Sequence, residues 1–146
     1  MGEPILGRFI THTSAYQRVF EPGPGKSYPR DSWLKTAAPK APCVTARLVV
    51  LVDHWTGSMG EGIAIGFDAL HHAEIVGTPM ARLRGGTGEF TLPNSKIPVH
   101  FPIERLYQVN GAAREIFTPR YLVDLTHARG EDPILARGLK VLERRP

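Results

Sequence analysis

At 146 residues with 42% apolar side chains, the chain is long enough for one domain and apolar enough to bury a core, which excludes wholesale disorder. Its 15 glycines and 13 prolines exclude a helical bundle and predict many turns and long connections. A formal charge of +4, spread along the chain without aromatic interleaving, describes a solvated basic surface rather than a nucleic-acid groove.

The N-terminal residues lack the apolar run and small-residue cleavage site of a signal peptide. Residues 4–19 carry Ile5, Leu6, Phe9, Ile10 and Tyr16 at spacings that predict a short helix against a core. Residues 21–42 contain Pro22, Gly23, Pro24, Gly25, Pro29, Pro39 and Pro42 and are expected to be mostly loop, with Trp33 and Leu34 as anchors. Together, residues 1–44 read as an N-terminal part of the same domain whose α/β core spans residues 45–146. Cys43 is the only cysteine, so no intrachain disulfide and no CxxC redox or zinc pattern can form.

The apolar run of residues 47–52 predicts a strand buried on both faces, as in a parallel sheet. Residues 58–72 follow as a helix with Ile63, Phe67 and Leu70 on one face. Residues 74–76 then give a second strand, which makes a βαβ unit. The arginine- and glycine-rich loop after Gly77 leads into a hairpin of residues 89–92 and 97–101. A strand at 105–109, a turn at Asn110–Gly111 and a strand at 121–125 come next. Asp132 caps and Pro133 opens a final helix, where Arg137, Lys140, Arg144 and Arg145 suit the negative C-terminal end. No stretch approaches the roughly 18 apolar residues of a membrane span.

The informative stretch is Val49 to Ile65, VVLVDHWTGSMGEGIAI, in which a serine sits between an apolar strand and a glycine-rich helix. Ser58-Met59-Gly60-Glu61 has the form S-x-x-E, a capping box, in which the Glu61 side chain reaches back to the Ser58 N–H. The same position lies in the positive field of unpaired N–H groups, where an oxyanion can be held. Capping and covalent catalysis are both open at this point. The G-x-S-x-G elbow is excluded, because Gly57 immediately precedes the serine.

In order and spacing, LVVLVDHWTGSMGEGIAIGFDALHHAEIVGTPM resembles the nucleophile region of the tail-specific, or C-terminal processing, serine peptidases. Ser58, Glu61 and Val76-Gly77-Thr78-Pro79 carry the likeness. GEFTLPNSKIPVHFPIERLY, Thr118-Pro119 and Asp132-Pro133-Ile134-Leu135 continue it over roughly residues 45 to 143. The resemblance implies an α/β, Clp-protease/crotonase-like fold, partial and lacking its N-terminal part. It also implies Ser58 as nucleophile, the Met59 backbone N–H as an oxyanion donor, and a peptide or protein as substrate. It carries no cofactor and no metal. Members of the family are often exported or periplasmic, but the compartment of this chain is left open.

A serine nucleophile needs a base. The lysine that many family members place about twenty-five residues downstream falls here on Leu83, between Arg82 and Arg84, and arginine does not deprotonate. In the tricorn-like branch, which the chain resembles, a histidine lies upstream of the serine. Here the chain is expected to begin after that part, with Gly2 as a trace of a glycine pair that lends an oxyanion donor. His54, His12, His71, His72, His100 and His127 read as surface, turn or helix-end residues. Glu115, near the position of the tricorn-type glutamate, has two readings, an orienting carboxylate or a surface charge. Asp53 reads as a strand-end cap, Asp68 as a helix-face charge, and the Arg82 to Gly86 loop as an anion contact or a solvated turn. The expected function is therefore a C-terminal portion of a serine peptidase. The alternatives are a non-catalytic peptide- or partner-binding fragment and, less supported, a crotonase-type acyl-thioester enzyme. A truncated sheet is also expected to expose apolar surface and to self-associate or take up a missing segment.

Overall fold

The computed structural model describes residues 2–126, 128 and 130–143. His127, Arg144 and Arg145, read above as surface and helix-end residues, lie outside the described residues.

The N-terminal helix is much shorter than its apolar spacing suggests. α1 covers Glu3–Leu6 and passes into a single 3₁₀ turn, Gly7–Phe9. Ile10-Thr11-His12-Thr13 then offers β-branched and histidine side chains, poor helix formers, and the chain extends into β1, Ser14–Phe20. The expected loop of residues 21–42 also contains a strand, β2, Trp33–Ala37, antiparallel to β1. Ala37 is the buried residue of β2, whereas the expected anchors Trp33 and Leu34 are both exposed.

The central βαβ unit follows the sequence pattern. β3, Leu48–Val52, leads to α2, Met59–Ala69, and to β4, Ala73–Gly77, parallel to β3. Gly77 adopts φ +146 at the end of β4, where a Cβ atom would stand 1.7 Å from the Val52 carbonyl oxygen, so only glycine fits. His71, at φ +51, terminates the helical segment earlier than expected. α2 is buried on more than one face: Glu61, Gly62, Ala64, Ile65, Gly66 and Phe67 are all covered. It packs on β1 on one side and on β4 on the other. Gly66 permits this approach, because a Cβ there would lie 2.8 Å from Leu6.

The remaining strands are β5, Thr87–Thr91, β6, Pro98–Pro102, β7, Arg105–Tyr107, and β8, Tyr121–Leu122. They form three sheets, ordered β2-β1-β7 (antiparallel), β3-β4-β8 (parallel) and β5-β6 (a hairpin). The pairing of β1 with β7 joins the first 44 residues to the rest of the chain. A shared core of Leu6, Ile10, Tyr16, Ala37, Val52, Ile65, Phe67, Ile75, Met80 and Phe117 lies around α2.

α3, Pro133–Glu143, covers the opposite face of β3. The Asp132 carboxylate accepts from the Ile134 and Leu135 N–H groups at 2.9 and 3.1 Å, the expected N-cap. Arg47 donates to the Leu142 and Val141 carbonyls at 2.5 and 3.3 Å, so the strand-entry arginine caps the helix C-terminus. β3 thus has helices on both faces, but it is an edge strand of its sheet among the described residues, and Leu51 stays exposed. The β5–β6 hairpin leaves Phe90, Leu92, Ile97, Val99 and Phe101 exposed. Exposed apolar side chains also lie outside the hairpin, among them Trp55, Ile116 and Leu122.

Candidate active site

At the end of β3, the Asp53 carboxylate accepts from the Trp55 and Thr56 N–H groups at 2.9 and 3.2 Å, which turns the chain sharply, as its reading as a strand-end cap anticipates. Thr56 in turn accepts from the Ala81 N–H through its carbonyl, at 3.0 Å. This fixes the turn against the loop that follows β4. Ser58 comes next, at the N-cap of α2, with φ +49 and ψ −112. An N-cap residue normally has extended dihedrals. A left-handed φ on a serine costs on the order of 1–3 kcal/mol and persists only where neighbours enforce it.

Glu61 is the main enforcer. Its carboxylate accepts from the Ser58 N–H at 3.0 Å, the reach-back expected of the capping box, and from the Leu83 N–H at 3.2 Å. Arg114 donates to the same carboxylate at 2.6 Å and to the Ser58 carbonyl at 2.5 Å. Glu61 and Arg114 are 1% and 4% exposed, so this is a buried ion pair that holds both ends of the serine peptide unit. Position 83, where the family's lysine would fall, therefore supplies a backbone N–H to Glu61 rather than a base. Arg114 was not anticipated: it lies 53 residues from Glu61, and no local pattern marks it.

Ser58 is exposed and borders two cavities. One, of about 180 Å³, is lined by Gly2, Gln17, Lys35, Ser58, Met59 and Arg114, among others. The other, of about 630 Å³, includes Ser58, Leu83, Arg84, Ile103, Glu104 and Arg105. Gly2 packs against Met59 and Ile63, which brings it to the serine turn. Met59 occupies the first helical position, where the N–H has no intrahelical acceptor.

Glu115 contacts Arg105 and Arg84 rather than Ser58. Its carboxylate accepts from Arg105 at 2.7 Å and lies 3.5 Å from Arg84, both of which border the larger cavity. Burial pushes the Glu115 carboxyl up, but backbone hydrogen bonding and the two guanidinium groups outweigh it and hold it below its ordinary value. The second oxygen, Oε2, is buried without a hydrogen-bond partner. The described histidines lie elsewhere. His54 stacks obliquely on Trp55, His12 lies near Thr11, His72 packs on Phe9, and His100 pairs with Glu89 on the hairpin. Asp68 is half-buried, and burial pushes its carboxyl up. It borders a separate cavity with His71, His72 and Glu74. In the Arg82 to Gly86 loop both arginines point outward, and the Arg84 carbonyl accepts from the Leu106 N–H at 2.9 Å.

A serine at a strained strand-to-helix turn thus faces two cavities on an α/β scaffold of the peptidase-like class. The chain belongs to peptidase family S41, whose model matches residues 10–123. No curated protein matches it in sequence. Among solved structures it is similar to a candidate peptidase from Parabacteroides merdae, with a TM-score of 0.77 at 18% identity over 98% of this chain and 47% of that one. It is also similar to a lipoprotein from Streptococcus agalactiae (0.68, 12%, 98% and 50%) and to a photosystem II D1 C-terminal processing protease (0.65, 16%, 83% and 30%). The chain spans half or less of the length of each. The α/β fold expected from the sequence is thus that of the S41 peptidases, in a domain of partial size.

Proposed function

We propose that the chain carries the nucleophile region of a serine-type peptidase of the tail-specific, tricorn-like kind, with Ser58 as the acyl-accepting group and the Met59 N–H as an oxyanion donor. The observation that carries this reading is the left-handed Ser58, held by the buried Glu61–Arg114 pair at the mouth of two cavities. In the reaction, Ser58 Oγ attacks the peptide carbonyl and loses its proton to a base. The amine then leaves with a proton, and water hydrolyses the acyl-enzyme. Glu115 is assigned as an orienting carboxylate, acting through the arginines of the larger cavity. The reading requires a general base, and none is assigned among the described residues.

The test is labelling with a fluorophosphonate probe. Labelling of the wild-type protein that disappears in Ser58→Ala supports an activated serine. Absence of labelling, even with a supplied N-terminal half, would sink the enzyme reading.

One observation favours the second reading, a peptide- or partner-binding module without turnover: among the described residues, no histidine borders either cavity that contains Ser58. The exposed apolar hairpin face supports self-association or docking of a further segment. A concentration-independent monomer in size-exclusion chromatography would remove that part of the reading.

A further inference from the structure

β1 is irregular between Ala15 and Gln17, and as a result the neighbours Tyr16 and Gln17 are both buried, where strict alternation would turn one of them outward. Tyr16 is satisfied, since its hydroxyl donates to Glu3 Oε1 at 2.6 Å. Gln17 is not. It is 6% exposed, and its Nε2 has no hydrogen-bond partner. A buried donor left unpaired is costly, and a bound acceptor relieves that cost.

Lys35 stands directly opposite Gln17 in the β1–β2 register, so the two side chains leave the sheet on the same face. Both line the smaller cavity with Ser58 and Met59. Lys35 forms no ion pair among the described residues. Arg114 lines the same cavity, and its Nε is a further buried donor without a partner. The N-terminus of α2 opens there too, through Ser58 and Met59. A cation, two unpaired N–H donors and a helix N-terminus match one chemical group, a carboxylate.

Two carboxylates share the walls, and they set the balance. Glu3 is occupied by Tyr16, and Glu104 lies with its Oε1 against Gly86. Glu104 offsets the Lys35 charge, so selection rests on hydrogen bonding as much as on net potential.

We infer that this cavity is a carboxylate subsite beside Ser58, in which Lys35 and Gln17 hold either the C-terminal carboxylate of a peptide or an acidic side chain close to the bond to be cleaved. The role in cleavage rests on the peptidase reading; the binding itself does not.

Ser58→Ala protein, which cannot turn over, is titrated by fluorescence anisotropy with three labelled peptides. The first is an alanine/valine hexapeptide with a free C-terminus, the second its C-terminal amide, and the third the amide with glutamate at the penultimate position. The free acid is expected to bind about tenfold more tightly than the plain amide. Lys35→Met and Gln17→Leu bring the acid down to the affinity of the amide, Lys35→Arg keeps the preference, and Glu104→Gln increases it. Tight binding of the glutamate amide identifies the side chain as the carboxylate source, and weak binding identifies the C-terminus. Equal affinities for all three peptides, or no binding by any, overturn the inference, with circular dichroism confirming that each variant is folded. Fluorophosphonate labelling of the wild type is scored separately. Labelling without a carboxylate preference removes only the subsite, and a preference without labelling removes only the catalytic reading.

Discussion

Replacing Arg114 by methionine isolates the interaction on which the serine turn depends. Methionine keeps much of the buried volume but deletes the guanidinium that bonds Glu61 at 2.6 Å and the Ser58 carbonyl at 2.5 Å. Glu61, 1% exposed, then keeps only two backbone N–H donors, from Ser58 and Leu83. Breaking a buried ion pair from one side costs about 3–5 kcal/mol, because the remaining charge stays buried without its partner. For a domain of this size that corresponds to a fall in Tm on the order of 10 °C. Urea or thermal denaturation followed by circular dichroism measures it. The double variant Arg114→Met with Glu61→Gln removes the stranded charge and is expected to recover at least about 1 kcal/mol over the sum of the single losses. A single-variant loss below about 1 kcal/mol, or strictly additive losses, would refute the claim that this pair holds the turn. In that event the left-handed Ser58 would have to be maintained by the loop alone.

Gly77→Ala places a Cβ on the Val52 carbonyl oxygen at φ +146, so it should destabilise by more than about 3 kcal/mol or prevent folding; near-wild-type stability would show that the end of β4 can relax. Glu115 makes stability depend on pH in the acid range. Its folded-state pKa is depressed, so its contribution is fully present above the unfolded value, near 4.5, and is lost as pH falls through the lower folded value. Glu115→Gln should therefore flatten the acid limb of the stability profile, and an unchanged limb would show that the Arg105 and Arg84 contacts carry no net energy.

The legible parts of the fold were those whose signals are local. The apolar run before Asp53, the S-x-x-E spacing and the periodicity of Ile63, Phe67 and Leu70 each lie within one element, and β3, α2 and β4 formed where they indicated. The N-terminal part was misread for a physical reason. Ile5, Leu6, Phe9 and Ile10 have helical spacing, but the β-branched residues after Ile10 break it, and the strand that stabilises β1 is hidden among prolines. With β2 unseen, Gln17 and Lys35 had no reason to be considered together, since their register exists only once the two strands pair. Arg114 was illegible for the same reason. Nothing within reach of its own sequence neighbours states that it faces Glu61.

A capping box on its own does not explain the conformation of Ser58. A serine that only starts a helix adopts extended dihedrals and reciprocates with an exposed acidic side chain, at no cost in strain. Here the acidic residue is buried, is shared with the Leu83 N–H and is neutralised by an arginine 53 residues away, while the serine is held at φ +49. These devices add nothing that helix initiation requires. What they fix is the direction of a small polar side chain relative to the first N–H groups of α2 and to two open cavities. Strain maintained at such a point, against a cheaper extended alternative, is the physical ground for reading the turn as the seat of a reacting group. The capping interactions are then the means by which that seat is held.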